Sequence, residues 1–184
     1  LKLKGVHNWE NAAAAACAGL ARGVGLADIA EALKGFAGVE HRLELVRETG
    51  GVFYYNDSIA SSPTRTMAGI EAIGGDIVLI AGGSDKYVSF DALAEVLVNK
   101  VRAVALIGVT AGKIDEAIGR AEEALSVKLP RVRCANLSEA LIWCRDLARP
   151  GTSVMLSPAC ASFDMFKNFE DRGRQFKELV SALE

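Results

Sequence analysis

Histidine is nearly absent from this chain: its 184 residues contain only His7 and His41, and neither completes a metal-ligand motif in the sequence. The four cysteines, Cys17, Cys134, Cys144 and Cys160, show no CxxC spacing. Together these shortages argue against a zinc site or a disulfide framework, and isolated, apolar-flanked cysteines suit a reducing cytoplasm. No charge sign dominates either. A net charge of -2 and a pI near 5.8 give no general attraction to nucleic acid or an anionic membrane, so neither is expected as a partner. The Ala-rich run at residues 12–18 is too short to span a bilayer and follows Glu10 and Asn11, so neither a signal peptide nor a membrane anchor is expected. Two familiar nucleotide-binding loops, GxxxxGK[ST] and GxGxxG, are missing as well.

What is present is apolar and periodic. Hydrophobic residues make up 51% of the chain, enough for one substantial core. Residues 7–23, HNWENAAAAACAGLARG, are dominated by the best helix former and close on Gly23, which predicts a helix. Residues 26–34 repeat the pattern, with Ile29, Ala30 and Leu33 on one side and Gly35 as a stop. Such a pair buries too little to be a domain. A boundary at residues 37/38 follows, with exposed apolar surface expected on residues 8–36. The start on Leu rather than Met, one turn before a helix, predicts a piece of something longer.

From residue 38 the period changes. Leu43 and Leu45, then Val52, Phe53 and Tyr55, predict two short strands joined at Gly50-Gly51. Strands are expected at 76–81, 101–107, 131–134 and 152–156, alternating with helices at 62–73, 89–99, 112–124, 137–148 and 164–183. The apolar runs at 78–80, 104–107 and 154–156 fit parallel strands buried on both faces. The expected class is therefore α/β: a Rossmann-like, mostly parallel sheet with helices on both faces and a binding edge at the carboxyl ends of its strands.

Three polar stretches fall at that edge. After Tyr55 comes NDSIASSPTRT, where Ser62 is placed to cap a helix beginning at Pro63, while Asp57 and Ser61 exceed what capping needs. After residue 81 comes GGSDK, whose Gly82 and Gly83 allow close backbone approach and whose Lys86 can reach an anion. After residue 156 comes SPACASFDMFKNF. Its Ser157 and Ser162, with the positive end of the following helix, predict an anion site. Phe166, Phe169 and Phe176 recur at helical spacing and are read as core, with Phe169 close enough to the first turn to wall a pocket. Cys160 has no histidine paired with it by any local motif and is read as structural. Arg42, in HRLE, is either half of a surface ion pair or an arginine facing a phosphate.

HNWEN, HRLE, YYNDSIASSPT, AGGSDK and SPACASFDMFKNFEDRG, in this order and over essentially the whole chain, closely resemble the Mur ligase family, in particular its branch that adds D-glutamate to UDP-N-acetylmuramoyl-L-alanine. The resemblance implies a cytoplasmic enzyme of peptidoglycan precursor synthesis. In it ATP, with Mg2+, phosphorylates a carboxylate, and the amine of D-glutamate attacks the acyl phosphate. It implies that residues 1–37 are a helical tail of a central ATP-binding domain and that residues 38–184 are a C-terminal D-glutamate-binding domain. By motif, Asn8, Asn11, Arg42 and Asp57 carry over as ATP contacts, and Ser61, Lys86, Ser162, Phe163 and Phe169 as the D-glutamate pocket.

Two departures qualify that transfer. Many family members read NDSKAT where this chain has Asn56-Asp57-Ser58-Ile59-Ala60-Ser61, so the role of that lysine does not carry over to Ile59. The phosphate loop, the magnesium carboxylates, a modified lysine and the UDP-sugar domain, which in the family precede HNWEN, are not among these residues. UDP-N-acetylmuramoyl-L-alanine and ATP are thus expected to be met largely through other domains, no catalytic residue is assigned, and the chain alone is expected to be inactive. A non-catalytic α/β interaction module and the matching domain of a related amide ligase, such as folylpolyglutamate synthase, remain alternatives.

Overall fold

The computed structural model describes the backbone of residues 6–36 and 38–183, with side chains from Asn8 onward. The chain divides into two compact units, Leu1–Glu40 and His41–Glu184. The expected boundary falls on Ala37, outside the described residues, as does the side chain of His7.

The first unit is a helical pair, α1 (Val6–Ala21) and α2 (Leu26–Gly35). Gly23, at φ +81°, ends the first helix and donates its N–H to the Leu20 carbonyl. Ile29, the buried residue of α2, packs against Gly19, where an added Cβ would lie 3.1 Å from the Ile29 side chain. Trp9, Leu20, Val24, Leu26 and Phe36 are exposed.

The second unit holds a six-stranded sheet in the order β1-β2-β6-β3-β4-β5. Its strands are β1 (Glu44–Thr49), β2 (Val52–Asn56), β3 (Ile77–Gly82), β4 (Ala103–Ile107), β5 (Arg131–Arg133) and β6 (Ser153–Leu156). β1 and β2 form an antiparallel hairpin over Gly50 and Gly51, both at positive φ, and every other pairing is parallel. The three apolar runs become β3, β4 and β6, and each is buried along its whole length.

Alternation along these strands feeds two cores. Leu79, Val104, Leu106 and Met155 pack with α3 (Pro63–Ile73), α4 (Asp91–Lys100) and α5 (Ala111–Leu125). Val78, Ile80, Ala105, Ile107, Val154 and Leu156 pack with α6 (Leu137–Leu147) and α7 (Phe169–Ser181). Each fully buried Leu, Ile, Val or Met contributes roughly 1.5–3 kcal/mol, so the sheet is a stiff platform for the loops at its carboxyl edge. The Arg47 guanidinium fastens the hairpin to α7 by donating to the carbonyls of Val180, Ser181 and Leu183. There the cation meets the negative end of the helix.

Two local expectations are corrected. The last helix begins at Phe169 rather than 164, because Asn168 is its cap: the Asn168 side chain accepts the Asp171 N–H, and the Asp171 carboxylate accepts the Lys167 N–H. Ser62 holds the cap position before Pro63, but its hydroxyl bonds the Thr64 hydroxyl. The Arg65 and Thr66 N–H groups are satisfied by the Ser62 carbonyl instead.

Candidate binding site

The loops after β2, β3, β4 and β6 all emerge at one edge of the sheet, as parallel strands require. The structure joins two expected residues there directly: the Lys86 ammonium donates to the Ser61 carbonyl at 2.9 Å. Lys86 is otherwise exposed, and its loop is braced from α5 by Lys113, which pairs with Asp85 and lies 5.6 Å from the centre of the Tyr87 ring. Ser162 is buried, and its carbonyl accepts the N–H groups of Met165 and Phe166. Phe163 stands 75% exposed, so in this arrangement it encloses nothing. Phe169 lies edge-on to His41, with ring centroids 6.1 Å apart, and its carbonyl accepts the Ser58 hydroxyl.

Of the residues expected to meet ATP, Arg42 and Asp57 are close enough for the guanidinium to act on the carboxylate. Arg42 is exposed, whereas Asp57 is buried, accepting the Leu43 N–H on one oxygen and the Ser157 hydroxyl on the other. Asn8 and Asn11 belong to the other unit, where the Asn11 amide donates to the Asn8 side chain at 3.4 Å.

The anion site expected of Ser157 and the α7 N-terminus is not formed. Ser157 is fully buried and spends its hydroxyl on Asp57 and Thr66, while the helix end is occupied by its own cap.

Burial raises the Asp57 carboxyl from its ordinary 3.8 to about 6, against the lowering effect of the Ser157 hydroxyl, the Leu43 N–H and the nearby arginines. A carboxyl with a higher pKa in the fold than in the unfolded chain holds an extra proton when folded between about pH 4 and 6. Its contribution to stability therefore falls as pH rises through that window and stays at the lower level above it. Asp57→Asn is expected to abolish this component. The difference in urea stability between pH 4 and 7 should shift relative to the unsubstituted chain by on the order of 2 kcal/mol, and identical pH profiles would contradict the assignment.

Sequence reasoning missed the residue that organises the edge. Arg172, on α7, is fully buried, and its guanidinium donates to the Ser58 hydroxyl and carbonyl and to the carbonyls of Cys160 and Ala161, at 2.8–3.2 Å. It thereby ties the loop after β2 to the loop after β6. Burial pulls its pKa down to about 10, which still leaves it charged at neutral pH. A helical period was the available signal: Phe169, Arg172, Phe176 and Val180 share one face of α7. Cys160 is buried, bonds the Thr110 hydroxyl and has its thiol pushed up to about 11, so the thiol stays protonated.

The Mur ligase, glutamate ligase domain profile matches residues 41–160. This chain belongs to the Mur ligase family.

This Mur ligase chain is 48% identical over 183 residues to the UDP-N-acetylmuramoylalanine--D-glutamate ligase of Clostridium novyi (strain NT) and 51% identical to that of Clostridium kluyveri (strain NBRC 12016). Both alignments cover 100% of the chain and 40% of the relative, so the chain spans about two fifths of the length of the curated relatives it matches. Among solved structures, it resembles a murein peptide ligase from Psychrobacter arcticus 273-4, with a TM-score of 0.60 at 18% identity over 99% of this chain and 38% of that one. It also resembles a Mycobacterium tuberculosis folylpolyglutamate synthase complexed with ADP, with a TM-score of 0.65 at 16% identity over 95% of this chain and 41% of that one. At such identities these two likenesses show a shared α/β fold alone.

Proposed function

We propose that this chain is the C-terminal, D-glutamate-binding part of an ATP-dependent cytoplasmic ligase that joins D-glutamate to UDP-N-acetylmuramoyl-L-alanine. Its leading helices then belong to the central ATP-binding domain. The observation that carries the reading is the Lys86 ammonium, exposed at the carboxyl edge and anchored on the Ser61 carbonyl, in a chain alignable along its full length with D-glutamate ligases.

Lys86 offers a charge to a substrate carboxylate, and the hydroxyls of Ser61 and Ser162 offer hydrogen bonds. Phe163 and Phe169 supply apolar surface that excludes water when the site closes. These groups hold and orient the amino acid; none of them is assigned a proton-transfer step.

The phosphates and metal of ATP do not fit these residues, for the sequence has no GxxxxGK[ST] loop to cradle them. The residues this chain gives to nucleotide binding are Asn8, Asn11, Arg42 and Asp57. Because both oxygens of Asp57 already accept internal bonds, it serves the nucleotide most simply by holding its loop in place.

Lys86→Ala in the complete protein tests the reading. The KM for D-glutamate is expected to rise by about two orders of magnitude, as for the loss of a charge-assisted contact, with the KM for ATP unchanged. An unchanged D-glutamate KM would remove Lys86 from the site and the reading with it.

A further inference from the structure

Asp164 occupies the junction of three loops that are distant in sequence. One carboxylate oxygen accepts the Ser84 hydroxyl at 3.0 Å, and the other accepts the Val109 N–H at 3.0 Å. The Asp164 N–H donates in turn to the Ser84 hydroxyl oxygen at 2.8 Å, and the Ser84 N–H donates to the Ala161 carbonyl at 2.9 Å. Ser84 is thus stapled to both ends of the stretch 161–164, which contains Ser162 and Phe163. Ser84 itself lies two residues before Lys86 in the sequence.

Two glycines make this approach possible. Gly83 has φ +147°, and a Cβ there would fall 2.2 Å from the Ala161 carbonyl oxygen; Gly108 has φ +71°, and a Cβ there would fall 2.3 Å from the Asp164 carboxylate. Thr110 adds a second clasp beneath, accepting the Gly83 N–H and donating to the Gly83 carbonyl. Asp164 is itself exposed. Hydrogen bonds made at a wet edge add little to global stability, so the effect of these bonds is on local geometry.

We propose that Asp164 is a positioning residue for the amino dicarboxylate substrate, fixing the spacing between the Lys86 ammonium and the Ser162 hydroxyl through its hold on Ser84 and Val109. The proposal rests on the assignment of Lys86 and Ser162 to that substrate. It adds a residue that touches no substrate itself and governs how two that do are set apart.

The test is steady-state kinetics and thermal melting of the complete protein carrying Asp164→Ala, Asp164→Asn, Ser84→Ala, the Ser84→Ala/Asp164→Ala double substitution, or Lys86→Ala. Asp164→Ala is expected to raise the D-glutamate KM by about tenfold, the scale of one lost charged hydrogen bond, with the ATP KM and the melting temperature unchanged. Asp164→Asn keeps an acceptor for Ser84 and should fall between the two. The double substitution should be no worse than Asp164→Ala, because both remove the same staple. A D-glutamate KM that stays put in Asp164→Ala while Lys86→Ala raises it would overturn the positioning role and leave the binding site standing. If neither substitution moves it, both assignments fail. Equal increases in the D-glutamate and ATP KM, or additive effects of Ser84 and Asp164, would also overturn the proposal, since they mark general damage or independent action.

Discussion

Arg172→Ala is expected to lower the unfolding free energy of the chain by about 4 kcal/mol, the sum of buried acceptors left without donors and a cavity in place of the side chain. The guanidinium has no exposed surface, and its bonds go to neutral oxygens of Ser58, Cys160 and Ala161. Those oxygens lie in two different loops, so the substitution should also let the loops separate. Arg172→Lys is not expected to rescue it. An ammonium carries three donors at one point, whereas the guanidinium spreads five across a plane, and these acceptors are arranged for the plane. Urea unfolding of the three proteins decides the matter; a loss below about 1 kcal/mol for Arg172→Ala would show that the carbonyls find other donors.

Gly83→Ala carries the second large effect. Its backbone lies in a region open mainly to glycine, and the new methyl would meet a backbone oxygen, the Ala161 carbonyl, rather than a side chain that can swing away. That same oxygen accepts the Ser84 N–H and an Arg172 N–H, so displacing it disturbs both ties at once. A loss of about 3 kcal/mol or more is expected. Gly119→Ala provides the contrast. Gly119 is inside α5, and the nearest atom to its added methyl is 4.0 Å away. There the substitution should stabilise by about 0.5–1 kcal/mol. Urea midpoints moving in the same direction for both would contradict this account.

Sheet and helices were legible in the sequence because their signals are local. Runs such as Val78-Leu79-Ile80 and Val154-Met155-Leu156 announce buried parallel strands within a few residues, and Gly50-Gly51 announces the hairpin. Lys86 and Ser61 were legible as edge residues by the same logic, since each follows a recognisable strand. The order of strands was not legible, because it depends on which apolar faces meet across long separations. Nor was the staple at Asp164, whose partners Ser84 and Val109 lie 80 and 55 residues away. Arg172 escaped for a different reason. A charged residue in a polar stretch is ordinarily solvated, and only the carbonyls brought together by two folded loops make its burial favourable. The α7 boundary was misplaced because Asp164 points its carboxylate at other loops and leaves the capping to Asn168.

The place of β6 in the middle of the sheet, between β2 and β3, bears on how this fold is assembled. Before residues 153–156 are in place, β2 has only β1 beside it, and β3 has only β4 and, through it, β5. These are two separate half-sheets, each with an open edge. One strand closes both, and its pairing Phe53↔Ser153 joins residues a hundred positions apart. Loop closure over such a separation is entropically costly before any contact offsets it, so docking of this strand is expected to be slow. Until it docks, the exposed edges of β2 and β3 are the surfaces on which newly made chains would stick to one another.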